Sequence, residues 1–159
     1  MIILGIDPGL AKTGCGVICM EKGKPRILGY GVISTNPPQP LAGRLKTIYE
    51  EIRDLCREYH PDVAAIESIF FAANVKTAVA VAQARGVAIL ATEESGLILA
   101  EYSPLQVKQA IVGYGRATKK QVQEMVRAIM GLQEIPKPDH AADAIAIALT
   151  HAFKMNKKV

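Results

Sequence analysis

The chain has 159 residues, half of them hydrophobic, with a net charge of +4 and a sequence pI of about 9.0. This excludes a disordered polypeptide, and the length suits one domain over residues 1–159 with a core of its own. Cys15, Cys19 and Cys56 are an odd number without zinc-ligand spacing, which points away from a disulfide framework and toward a reduced, cytoplasmic protein.

The N-terminus lacks the basic start of a secretory signal and becomes Asp-Pro-Gly by residue 9, so no signal peptide is expected. Its apolar run, Ile2-Ile3-Leu4-Gly5-Ile6, ends at Asp7 and the turn pair Pro8-Gly9. Such a run reads as a buried strand of a sheet covered on both faces. A carboxylate at its mouth is costly unless a partner offsets the charge. Asp7 is therefore either a turn residue that solvates its own charge or one ligand of a metal site. Residues 14–20 and 26–35 read as two further strands, and the short turns between them predict an antiparallel meander. Three prolines make 36–40 a loop. Leu41, Leu45, Ile48, Ile52, Leu55 and Tyr59 then recur at steps of four and three, one face of an amphipathic helix.

After the break at His60-Pro61-Asp62, the short run 63–66 ends at Glu67 and repeats the pattern of Asp7. Two such strands side by side would bring both carboxylates to one sheet edge, where open α/β sheets place their ligand sites. Phe70 and Phe71 follow in a predicted loop. Either both pack in the core, or at least one is exposed and able to stack on or wedge between bases. Residues 75–93 read as an alanine-rich helix with Gly86 in its middle. That glycine costs about 1 kcal/mol against alanine, which makes sense where another backbone comes close, in the core or at a subunit contact. Residues 97–102 read as a fifth strand.

Ser103-Pro104-Leu105-Gln106 and Thr118-Lys119-Lys120-Gln121 are two capping boxes, each opening a helix, with Gly113-Tyr114-Gly115 between them. Residues 103–130 carry Lys108, Arg116, Lys119, Lys120 and Arg127 against the single acid Glu124, an excess equal to that of the whole chain. A basic surface so concentrated suits a polyanion, although a solvated helix face is the plainer alternative. The last helix opens with Pro138-Asp139, Asp139 being a candidate cap, and His140 and Asp143, three apart, share one face near its start, a place that the helix dipole favours for Asp143 but not for a cationic His140. A neutral imidazole and a carboxylate are both good metal ligands. The basic tail 154–159 is expected to be frayed, and no apolar run is expected to span a bilayer.

The segments GIDPGLAKTG, AAIES with the following aromatics, QARGVAIL, VKQAIVG and DHAADAIAIA occur in this order over residues 1 to about 153. Together they resemble the RuvC family of Holliday-junction resolvases. The resemblance implies an α/β, RNase H-like fold, a five-stranded mixed sheet flanked by helices. It implies a homodimeric, metal-dependent endonuclease that nicks two strands of a four-way DNA junction symmetrically and works with a branch-migration helicase complex. The family's catalytic, metal-binding cluster falls on Asp7, Glu67, His140 and Asp143. Phe70 falls on the aromatic that inserts at the junction, with Phe71 as an extra ring beside it. Lys108 and Lys119 fall on positions that contact the DNA backbone, and Arg116 and Lys120 extend that basic surface.

The residue types suit this chemistry. Phosphodiester hydrolysis needs an activated water and a stabilised leaving oxygen, which two divalent ions about 3.5–4 Å apart supply. Mostly oxygen ligands favour Mg2+, and the imidazole makes Mn2+ a workable substitute. Three alternatives stay open. GIDPG also fits actin-like phosphotransferases, but these need a second domain and further phosphate loops. An RNA-processing nuclease of the same fold would carry similar acids. A silent junction-binding protein would lack an acid, and all four positions are filled.

Overall fold

A computed structural model of the chain describes residues 1–69 and 75–156. Its centre is β1 (Ile2–Asp7), the apolar run read from the sequence, with Ile3, Leu4 and Ile6 fully buried. β2 (Lys12–Glu21) and β3 (Lys24–Ser34) follow it as an antiparallel meander. Lys22 and Gly23 both have positive φ at the β2–β3 turn, the backbone a two-residue hairpin needs. β4 (Val63–Glu67) pairs parallel to β1, and β5 (Ile98–Tyr102) pairs parallel to β4. The sheet order is β3-β2-β1-β4-β5, five strands and mixed, as expected.

Five helices cover it. α1 (Leu41–Tyr59) and α2 (Val75–Glu94) bury Ile48, Ile52, Cys56, Ala84, Ala88 and Ala91 against Leu4, Ile6 and Ile66 on one face. α3 (Pro104–Val112), α4 (Lys119–Ile129) and α5 (Asp139–Asn156) cover the other face, packing on Ile3, Val63 and Ala65. Both capping boxes form, with Ser103 and Thr118 accepting from the backbone of Gln106 and Gln121. All three cysteines are free and buried.

Two expectations need adjusting. α5 runs through Asn156, and Lys154 lies 4.6 Å from the centre of the Tyr102 ring, so the ordered helix reaches into the tail that was expected to fray. α2 has 20 residues, and an 18-residue stretch of it has a mean hydropathy of 1.2, enough by length and composition to cross a membrane, against the expectation of no such run. Isolated charges do not lower the average of an alanine- and valine-rich helix enough. Here one side of that helix lies on α1 and the sheet.

Candidate active site

Asp7 and Glu67 end two neighbouring parallel strands whose last register pair is Ile6 with Ile66. Alternation turns the isoleucines toward α1 and α2 and the two acids toward the α5 side. α5 completes the arrangement from above. His140 Nδ1 lies 2.7 Å from Asp7 Oδ2, and single ligand atoms of Asp7, His140 and Asp143 all fall within 4.8 Å of one another. Glu67 is outside this trio and lines a cavity of about 180 Å³ together with Asp7, Lys108, Lys119 and Asp143.

Glycine makes this close approach possible. Gly14 lies opposite Asp7 on β2, and a Cβ there would come within 1.9 Å of the His140 carbonyl oxygen. A Cβ at Gly5 would come within 2.0 Å of the Ala144 carbonyl oxygen, and one at Gly16 within 2.8 Å of the Ile145 side chain. α5 therefore rests with its backbone almost on the sheet, its own contact face built largely of alanine. The sequence reading did not single out these strand glycines. Glycine inside a strand is itself the signal, because it marks a close approach of another backbone.

The electrostatics are those of crowded acids. Burial pushes Glu67 up to about 7, and the charges of Asp7 and Asp143 add to it. Burial also raises Asp143, outweighing the Lys119 ammonium 2.8 Å away. The hydrogen bond to Asp7 raises His140, with the Asp7 charge contributing and burial opposing. A divalent cation would relieve all of this repulsion, and a donor set of carboxylate oxygens with one imidazole suits such an ion. The residues present fit the metal site expected for them.

Lys119 is not a free basic residue: it is the counter-ion of Asp143, with Asp139 3.9 Å away. Lys108 lines the same cavity near Glu67. Arg116 and Lys120 are exposed, Lys120 in the first turn of α4. Phe70 and Phe71 lie outside the described residues.

The strain at Glu67 gives a testable sign. The folded chain keeps a proton on Glu67 up to about pH 7, whereas a free glutamate releases it near 4.5. Between those values the unfolded state binds fewer protons, so stability falls as pH rises through the window. Glu67→Gln removes the penalty. In EDTA at pH 8 it is expected to raise the melting temperature, by no more than the order of 3 kcal/mol of stability. At pH 4 the two proteins should melt nearly alike. A variant no more stable at pH 8 would show that Glu67 is not strained.

Comparison with known proteins identifies the family. Residues 3–151 match the family Crossover junction endodeoxyribonuclease RuvC. The chain belongs to the RuvC family. A crossover junction endodeoxyribonuclease RuvC of Alkaliphilus oremlandii is 51% identical over 98% of this chain and 95% of its own. Thermus thermophilus RuvC superposes with a TM-score of 0.93 at 41% identity, covering 99% of this chain and 97% of its own. A second structure, T. thermophilus RuvC in complex with Holliday junction substrate, gives 0.94 at 40% identity, over 99% and 96%. The RuvC relatives thus share the RNase H-like architecture expected from the sequence, throughout the described residues.

Proposed function

We propose that this chain is a metal-dependent endonuclease that resolves four-way (Holliday) DNA junctions in recombination and repair. The observation that carries this reading is the acid and imidazole cluster of Asp7, His140 and Asp143, with Glu67 beside it, in a chain of RuvC sequence. Divalent ions, Mg2+ for preference and a pair of them by the usual pattern of such nucleases, would supply an activated water and charge neutralisation at the leaving oxygen. Asp7, Glu67, His140 and Asp143 would hold them.

The other side chains solve a second problem: a phosphodiester is an anion approaching an acidic cleft. Lys119 offsets Asp143 at 2.8 Å, and Lys108 lines the cavity beside Glu67. Both can donate to phosphate oxygens, while Arg116 and Lys120 extend the basic surface outward. Phe70 and Phe71 are the candidates for stacking at the junction. Asp7 fixes the orientation of the His140 ring through Nδ1, as second groups usually fix ligating imidazoles.

The test is a nicking assay on a synthetic four-way junction beside a linear duplex of the same sequence. Paired nicks in the junction only, lost in EDTA and restored by Mg2+, are the expected result. Equal cutting of the linear duplex would overturn junction selectivity, and cutting of an RNA duplex run beside them in preference to the junction would favour the RNA-processing alternative.

Two cuts in one binding event need two sites, and the described residues of one chain carry one such cluster, so the reading includes a homodimer. α2 supports this. Val75, Val79, Ala82, Gly86 and Leu90 are all exposed and recur at steps of four and three, an apolar stripe on one helix face. A Cβ at Gly86 would meet nothing within 4 Å in its own chain, so intramolecular packing does not account for that glycine. Sedimentation at micromolar protein is expected to give twice the chain mass, and Val79→Asp to reduce it. A monomer when free and when bound to the junction would rule out paired cutting. The buried free thiols suit a reducing cytoplasm, and a branch-migration helicase partner belongs to the same reading.

A further inference from the structure

We propose that Arg85 is a positioning residue for Glu67, acting from the opposite face of the sheet; this rests on the reading of Glu67 as a catalytic ligand. Arg85 is carried by α2, which covers the face remote from the metal cluster, and its side chain is only 17% exposed. Its Nε donates to the backbone carbonyl of Glu67 at 3.2 Å. The same guanidinium is ion-paired with Glu101 of β5. Glu101 stands beside Ile66 in the sheet register and shares its face, so it presents its carboxylate toward α2.

Glu67 is the last residue of β4, and Ile66 is the last residue of that strand to pair with β1. Past that point the strand has no partner on the β1 side. On the other side the Ser68 N–H donates to the Tyr102 carbonyl at 2.9 Å. The Glu67 carbonyl is then held by Arg85, so the peptide that carries the acid is pinned from both directions. The Glu67 side chain leaves this pinned backbone toward the cavity shared with Asp7 and Asp143. A loose strand end would let that side chain swing away from Asp7 and Asp143. A planar guanidinium can serve the carbonyl and Glu101 together, whereas an ammonium is a single point charge.

The plain alternative is an ordinary ion pair stapling α2 to the sheet. The molecule supplies a control for it. Arg53 and Glu94 form a comparable pair, 2.6 Å apart between α1 and α2, and touch no residue of the metal cluster.

The experiment compares Arg85→Gln, Arg85→Lys, Glu101→Gln and Arg53→Gln in the full-length protein. It measures the single-turnover nicking rate at saturating junction, the junction Kd by gel shift, and the Mg2+ concentration for half-maximal rate. Arg85→Gln is expected to lower the saturated rate about 10- to 100-fold, the usual cost of losing a group that orients a metal ligand. It should raise the Mg2+ requirement and leave the Kd at the wild-type value. Arg85→Lys and Glu101→Gln should fall between it and wild type, and Arg53→Gln should match wild type in all three readouts. If Arg85→Gln does not fold by circular dichroism, Glu101→Gln carries the test with the same expected direction. A folded Arg85→Gln (or, in its place, Glu101→Gln) with the wild-type saturated rate would overturn the proposal. So would an equal loss in Arg53→Gln, or a loss confined to Kd. An active Asp7→Asn would instead overturn the site reading itself, so the two failures are distinguishable.

Discussion

Asp7→Asn is expected to abolish junction nicking while leaving junction binding intact. The amide has the shape of the carboxylate, so the end of β1 need not move. The carboxylate is nearly buried, at 14% exposure, and its Oδ2 faces His140 Nδ1 at 2.7 Å. Losing its charge removes one member of the trio proposed to hold the cation, and the group hydrogen-bonded to the imidazole. Metal-assisted stabilisation of the transition state is worth several kcal/mol, so the rate should fall by about a thousandfold or more. The Asp7 charge is also one of the causes, after burial, that hold Glu67 high. Glu67 should therefore titrate lower in the variant, which a carbon-detected NMR titration of the side-chain carboxyl can read. Nicking is measured with Mg2+, and binding by gel shift in EDTA. A variant that nicks near the wild-type rate would remove Asp7 from the active site.

Gly14→Ala is expected to lower activity about a hundredfold while leaving all four candidate ligand residues unsubstituted. The added methyl would sit 1.9 Å from the His140 carbonyl oxygen and 2.5 Å from its carbonyl carbon. Backbone cannot rotate aside as a side chain can, so the first turn of α5 must lift from the sheet. That turn carries His140 and Asp143, while Asp7 stays on β1. A displacement near 1 Å at a catalytic group can cost about a hundredfold in rate, and overpacking of this kind destabilises by about 1–3 kcal/mol. Gly31→Ala is the matched control, a strand glycine with nothing within 4 Å of its would-be Cβ. It should fold and nick as wild type. Single-turnover nicking and thermal melting of the two variants decide the matter. Normal nicking by Gly14→Ala would show that the close seating of α5 is not what aligns the site.

The elements and the acids at their ends were legible in the chain alone. Apolar runs stopping at Asp7 and Glu67, two capping boxes, and a helix opening with His140 three residues before Asp143 are local patterns. Each is set by short-range physics: alternation, the spacing of a helix face, and the orphan N–H groups of a helix start. The ordered set of family motifs added the chemistry, because each motif is contiguous in the chain. What the sequence could not decide depended on contacts between distant segments. The basic segment read as a surface for phosphates, yet Lys119 of that segment sits against Asp143. The sequence ranked the four candidate ligands alike, whereas the structure draws Asp7, His140 and Asp143 into one trio and leaves Glu67 outside it, lining the same cavity as Asp7 and Asp143. The seating of α5 on Gly5, Gly14 and Gly16 and the reach of Arg85 to the Glu67 carbonyl join residues on different elements. No spacing along the chain encodes such distances, because they arise only when two separately formed elements pack and their backbones come as near as the side chains between them allow.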